Sequence, residues 1–198
     1  MLVVDARTSY KTLKELVADA QQRPGQIIYA SSGIYGASHV PMEMLLHAAH
    51  IEMRHLPTTG GAPAITAVLG GNAQAWASPP ALAAPLIGAG KLRGLAVWGD
   101  KRLAEFPDVP SMKESGYDLE YYLWAGLFAP KAVAKEAIAV LRRAVATATQ
   151  DPMYIQAMEK LQTPIAYLDA PEFQSFWDKD AEMLAEVVHE IGRVDEKP

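Results

Sequence analysis

Gln26-Ile27-Ile28-Tyr29-Ala30-Ser31-Ser32-Gly33-Ile34-Tyr35-Gly36-Ala37-Ser38-His39-Val40-Pro41-Met42 is the stretch that decides the architecture. Gln26 to Ala30 reads as a short strand and Ser31 to Ser38 as a polar loop. His39 to Ala49 reads as a helix with Met42, Leu45, Leu46 and Ala49 on one face. Two glycines let the loop turn sharply, three serines add hydroxyls, and a helix N-terminus behind it presents unpaired N–H groups. Such a loop suits a carboxylate or a phosphate, although serines and glycines also make plain tight turns. It is not a Walker loop, because no Gly-Lys-Ser/Thr follows, and it is not GxGxxG.

The same construction repeats outward. On the N-terminal side, Leu2-Val3-Val4 reads as a buried strand, and a helix capped by Thr8 or Ser9 runs to about Gln22 with Leu13, Leu16 and Val17 on one face. On the C-terminal side, Ile51 to Leu56 is a strand and Pro57-Thr58-Thr59-Gly60-Gly61 a loop, and Ala62 to Leu69 is a helix. Ala73 to Ala77 and Lys91 to Trp98 are further strands flanking a helix from Pro80 to Ile87. Strict alternation with short connections predicts an α/β lobe, a mainly parallel sheet flanked by helices on both faces, over residues 1–122. In such a sheet the loops beginning at Ser31, Thr58 and Ser78 leave strand ends at one edge, where ligands bind.

After Gly99 the texture changes. A short helix from about Asp108 to Gly116, an aromatic extended stretch from Leu119 to Phe128, and helices over about 135–149, 152–161 and 171–191 are predicted, with one more strand at Ile165 to Leu168. Residues 123–198 read as the helix-rich remainder of a second, incomplete lobe. Because Leu2 opens a strand with no lead-in, the start reads as a truncation or a misplaced start codon.

Composition excludes several classes. The 198 residues are 50% hydrophobic and 21% charged, which is ordinary globular usage and rules out wholesale disorder. There is no cysteine, so disulfides, thiolate metal sites and cysteine nucleophiles are excluded. A formal charge of −5 without a basic cluster argues against nucleic acid as partner. No apolar run is long enough to span a membrane, and no signal peptide is visible. Glu43, His47 and His50 share a helix face with His55 nearby, but a solvated face accounts for them better than a metal does. Ser31 or Ser32 with His39 lacks the GxSxG elbow and an orienting acid of a hydrolase. No metal, cofactor or catalytic residue is expected.

Taken in order, Ser31-Ser32-Gly33-x-x-Gly36-x-Ser38-His39, His55-Leu56-Pro57, Gly60-Gly61-Ala62-Pro63-Ala64, Leu69-Gly70-Gly71 and Ala89-Gly90-Lys91-Leu92-Arg93-Gly94-Leu95-Ala96-Val97 form a specific set. It continues through Phe106-Pro107-Asp108-Val109-Pro110-Ser111 to Trp124-Ala125-Gly126-Leu127-Phe128-Ala129-Pro130. This set closely resembles the solute-binding receptors of tripartite tricarboxylate transporters, the Bug receptors. The resemblance implies a periplasmic receptor of two α/β lobes, with a small organic acid held by amides, hydroxyls and water, and transporter subunits in the membrane as partners. By position it implies a carboxylate-cradling loop of Ser31, Ser32, Gly33, Tyr35, Gly36 and Ser38. It assigns Thr58, Thr59, Gly60 and Ala62 to a second ligand loop and Ser78 to a third. It also implies a missing N-terminal segment, which leaves the C-terminal helices without the sheet that covers them, so that they are loosely packed or pair with a second copy. The alternatives from the residues alone are a small serine hydrolase or transferase, and a receptor fragment that binds nothing.

Overall fold

The computed structural model describes residues 1–192. Two compact units divide the chain: Met1–Leu123 together with the chain from Val187, and Trp124–Glu186.

The first unit is built on one five-stranded sheet. Its strands are β1 (Leu2–Asp5), β2 (Ile28–Ser31), β3 (Arg54–Pro57), β4 (Ala75–Ala77) and β5 (Leu92–Ala96), in the order β3-β2-β4-β1-β5. Helices α1 (Leu13–Gln22), α2 (Val40–Ala49), α3 (Gly61–Leu69) and α4 (Pro80–Gly88) connect them. Because strand side chains alternate, each strand feeds two cores. Leu2, Val4, Tyr29, Ala75, Ala77 and Leu95 pack with Leu13, Leu16 and Val17 of α1 and Met42, Leu45 and Leu46 of α2. Val3, Ala30 and Trp76 pack with Ala64 and Val68 of α3 and Ala83 of α4. Both faces are covered, as the apolar runs of the strands require.

The sheet differs from the expected one at β1. β2 pairs with β3 and with β4 in parallel, whereas β1 lies antiparallel to both β4 and β5. Strand direction leaves no local mark in the sequence. The fully buried Leu2, Val3 and Val4 announce a central strand, but nothing in them announces its polarity. α1 also starts later than Thr8 or Ser9. Its N-cap is Thr12, which forms a reciprocal capping box with Glu15. Residues 6–11 are instead held as a turn. Arg93 donates to the carbonyls of Ala6 and Tyr10 at 2.9 and 2.7 Å, and Asp5 accepts the Arg7 amide and guanidinium. The expected helix from Asp108 to Gly116 is a series of turns, because Ser111 is tied back to Val97 by a β-bridge.

The second unit holds α5 (Lys135–Ala148), α6 (Pro152–Lys160) and most of α7 (Ala170–Ile191). Trp124, Phe128, Phe173, Phe176 and Trp177 form an aromatic cluster, and the Trp124 indole donates to Asp180 at 2.9 Å. No residue of α5 or α6 is buried, and Val140, Leu141, Met153 and Leu161 are exposed. The strand expected at Ile165 to Leu168 does not form: among the described residues of this unit there is no strand for it to pair with.

The Asp5 carboxyl is buried, and the hydrogen bonds from Arg7 hold it below the usual carboxylate range. A depressed folded-state value means stability that is present above the ordinary Asp value and lost as pH falls through the folded one. Asp5→Asn is therefore expected to cost about 1–3 kcal/mol near neutral pH. That difference from the parent should begin to shrink below the ordinary Asp value of about 4 and vanish only as the folded carboxyl itself protonates at lower pH, measured by urea unfolding across pH.

Candidate ligand-binding site

Three adjacent strands running the same way bring three loops to one edge of the sheet. The loop after β2 carries Ser31, Ser32, Gly33, Tyr35, Gly36 and Ser38, the loop after β3 carries Thr58, Thr59 and Gly60, and Ser78 follows β4. α2, α3 and α4 begin from these loops, so all three N-termini lie at that edge. α3 starts at Gly61, which places Ala62 in its first turn.

The first two loops are joined directly. Thr58 donates its amide (2.9 Å) and its hydroxyl (2.8 Å) to the carbonyl of Ser31, and the hydroxyl also reaches the Gly60 carbonyl at 2.8 Å. Within the first loop, the Ser32 and Ser38 hydroxyls share a 2.7 Å hydrogen bond. Ser31 Oγ donates to the Gly33 carbonyl at 3.0 Å and lies 2.6 Å from His55 Nε2. Ser78 is tied elsewhere: its amide donates to the Met1 carbonyl at 2.8 Å, and its hydroxyl donates to the Pro79 carbonyl. Among the described residues, no acceptor lies within reach of the amides of Ile34, Ala37, Ser38, Thr59, Gly61 or Ala62. Unpaired amides at helix N-termini are the donors an anion needs.

The loop's backbone strain falls on a residue the sequence did not mark. Of the two glycines expected to let the loop turn sharply, Gly36 has an ordinary φ. Tyr35 sits in the left-handed region at φ 55°, and Gly33 at φ 144°. Contacts of its amide, ring and hydroxyl hold Tyr35 in that conformation. Its amide donates to His39 Nδ1 at 3.0 Å, its ring meets His39 edge-on, and its hydroxyl donates to the Gly192 carbonyl at 2.7 Å.

Beneath the loop lies a polar cluster. The His39 and His55 rings stack with centroids 4.1 Å apart, and Tyr29 stacks on His55 at 4.9 Å. Tyr29 donates its hydroxyl to Glu43, and Glu43 stands 3.6 Å from His39 Nε2. Burial, with the Glu43 carboxylate beside it, pushes the Tyr29 hydroxyl far above the ordinary tyrosine range. This cluster borders a recess of about 850 Å³ also lined by His47, His50, Met44, Met53, Val187 and Ile191. None of the ligand residues expected from the sequence lines it.

The fold brings this cluster together: His39 stands four residues after Tyr35, and His55 falls opposite Tyr29 in the parallel ladder, a register that no local pattern marks. The serine–histidine pair that forms is Ser31 with His55, not Ser31 or Ser32 with His39. Ser31 is fully buried, so its hydroxyl supports the loop and is not presented to a substrate. Among the described residues no group of three His, Asp or Glu side chains is arranged to hold a metal, and Glu43, His47 and His50 do not converge on one point.

The profile described as "Tripartite tricarboxylate transporter family receptor" matches residues 1–193. The chain belongs to this receptor family. Among the curated relatives of the receptor is "UPF0065 protein in gbd 5'region" of Cupriavidus necator, 32% identical over 96% of the chain and 58% of that protein. Protein BugT of Bordetella pertussis is 26% identical over 97% of the chain and 59% of its own length. The chain thus spans somewhat over half the length of these relatives. Of the solved structures, the periplasmic binding protein BugD superposes with a TM-score of 0.82 at 26% identity, over 96% of this chain and 64% of BugD. Two more share the fold at 21% identity: a Rhodopseudomonas palustris protein with adipate (TM-score 0.84, over 94% of this chain and 64% of that one) and MatC with bound malate (0.82, 94% and 65%). The single sheet flanked by helices matches the fold of solved solute-binding proteins over the part of them that the chain spans.

Thr58 and Thr59 separate the structural from the exposed hydroxyls of the second loop. Thr58→Val removes a hydroxyl that reaches two carbonyls and is expected to cost about 1 kcal/mol of unfolding free energy. Thr59→Val, at an exposed position with no such bond, should stay within about 0.5 kcal/mol of the parent in the same denaturation assay.

Proposed function

We propose that this chain is the ligand-holding part of an extracytoplasmic receptor that captures a small di- or tricarboxylate and delivers it to a tripartite tricarboxylate-type transporter in the membrane. The observation that carries the reading is that two joined loops, leading into α2 and α3 at one edge of the sheet, both carry amides that make no hydrogen bond. An anion there gains hydrogen bonds and the favourable end of the helix dipoles without any Lys or Arg among the candidate residues. Membership of a solute-binding receptor family supports a binding protein over an enzyme. Fold relatives holding adipate and malate support a carboxylate as the ligand class. The periplasm is the compartment in which BugD is described.

In this reading the amides of Ile34, Ala37 and Ser38 meet one carboxylate, and Gly33 and Gly36 keep the backbone open to it. The half-buried Ser32 hydroxyl supplements these donors, and the buried Ser38 hydroxyl braces it. Thr59, Gly60 and Ala62 serve the second loop. Ser31 and Thr58 fix the two loops to each other, Tyr35 borders the first loop, and Ser78 caps the third strand end.

Calorimetric titration of the 198-residue chain with malate and adipate, beside their diamides, tests the proposal. Heat of binding is expected for the acids and none for the diamides at equal concentration. Ser32→Ala should weaken the acids by up to about tenfold, the worth of one hydrogen bond to a charged group. Equal affinity for acid and amide, or binding of neither, contradicts the reading.

A further inference from the structure

His39 holds the first loop in a way that depends on its protonation state. A backbone N–H can only donate, so the 3.0 Å contact from the Tyr35 amide requires His39 Nδ1 to be an acceptor. A neutral imidazole with an acceptor at Nδ1 carries its proton on Nε2, the atom that faces Glu43 at 3.6 Å. The residue clasped by this bond is the one held at φ 55°, a backbone state that a tyrosine adopts only under constraint.

We infer that His39 is a pH-sensitive clasp on the first ligand loop: neutral, its Nδ1 holds Tyr35 and sets the loop; protonated, it turns that acceptor into a donor and releases the loop. The regulatory part of this inference rests on the receptor reading above, while the clasp itself rests on loop geometry alone. Protonation adds one proton to Nδ1, sets N–H against N–H at Tyr35, and removes the acceptor of the Tyr35 amide.

Among the described residues, groups facing His39 come from α2, β2, β3 and the first loop. Glu43 of α2 favours the imidazolium, and His55 of β3, stacked on it, opposes a second positive charge. Tyr29 of β2 lies 6.2 Å away with its hydroxyl on Glu43, and Tyr35 closes the loop side. His47, His50 and Glu52 line the adjoining recess, to which the end of α7 adds the uncharged Val187 and Ile191.

Amide hydrogen exchange on the ligand-free chain, at about pH 8 and about pH 5.5, reads the clasp directly, since these values straddle the ordinary imidazole range. After correction for the intrinsic rate, protection of the Tyr35 amide should fall about tenfold on acidification, the worth of one hydrogen bond. His39→Asn puts an acceptor that does not titrate at the same branch of the side chain, so its protection should not change with pH. His39→Leu should be unprotected at both values. Unchanged protection in the parent chain, or the same fall in His39→Asn, overturns the clasp, and both results stand even if the Leu variant does not fold. Malate titrated at the two pH values adds the regulatory readout. A fall in affinity for the parent that exceeds the fall for His39→Asn supports release by the clasp, and equal falls overturn it. No malate binding at either pH, with the exchange pattern intact, overturns the receptor reading and leaves the clasp standing.

Discussion

The parallel ladder of β3, β2 and β4 is the constraint on which the candidate site depends. Parallel neighbours cannot be joined by a hairpin, so each strand must leave at its carboxyl end and return through a helix. Three such strands side by side therefore bring three loops, and the three helix N-termini behind them, to one edge. The bonds from Thr58 to the Ser31 carbonyl continue the ladder one step beyond the strands and fix the spacing of the first two loops. β1 lies outside this logic. Antiparallel to both neighbours, it fills the centre of the sheet with Leu2, Val3 and Val4 and serves packing alone.

The polar cluster beneath the first loop shows how a strained loop is kept in one shape. Burying His39, Tyr29 and Ser31 in a core costs free energy unless each finds partners. Here the partners are one another, Glu43, His55 and the loop backbone. The cluster's hydrogen bonds offset its desolvation, and one of them holds Tyr35 in a left-handed conformation, so loop geometry and buried polarity are coupled. A purely apolar floor could not accept the Tyr35 amide.

Much of this was legible in the sequence, and the misses have identifiable causes. The strands and helices of the first unit follow from apolar periodicity punctuated by glycine and proline, which is a local signal. The direction of β1 and the bridge that unwinds the expected helix at 108–116 are long-range pairings that no local pattern encodes. The later start of α1 was encoded, in Thr12 and Glu15, but Thr8 and Ser9 are equally good caps until Arg93 claims the turn between. At the site, the three loops could be placed from strand order alone. The role of His39 could not, because it depends on a side chain reaching back across one turn to an amide whose φ is visible only in three dimensions.

The central claim is that the edge shared by the β2 and β3 loops is where a carboxylate is held. Amide-resolved nuclear magnetic resonance with a malate titration tests it most directly. The account predicts chemical-shift changes concentrated at Ile34, Ala37, Ser38, Thr59, Gly61 and Ala62, with α5 and α6 unmoved. Shifts centred on α5 and α6, or on the recess beside His47 and His50 with the two loops silent, would contradict it.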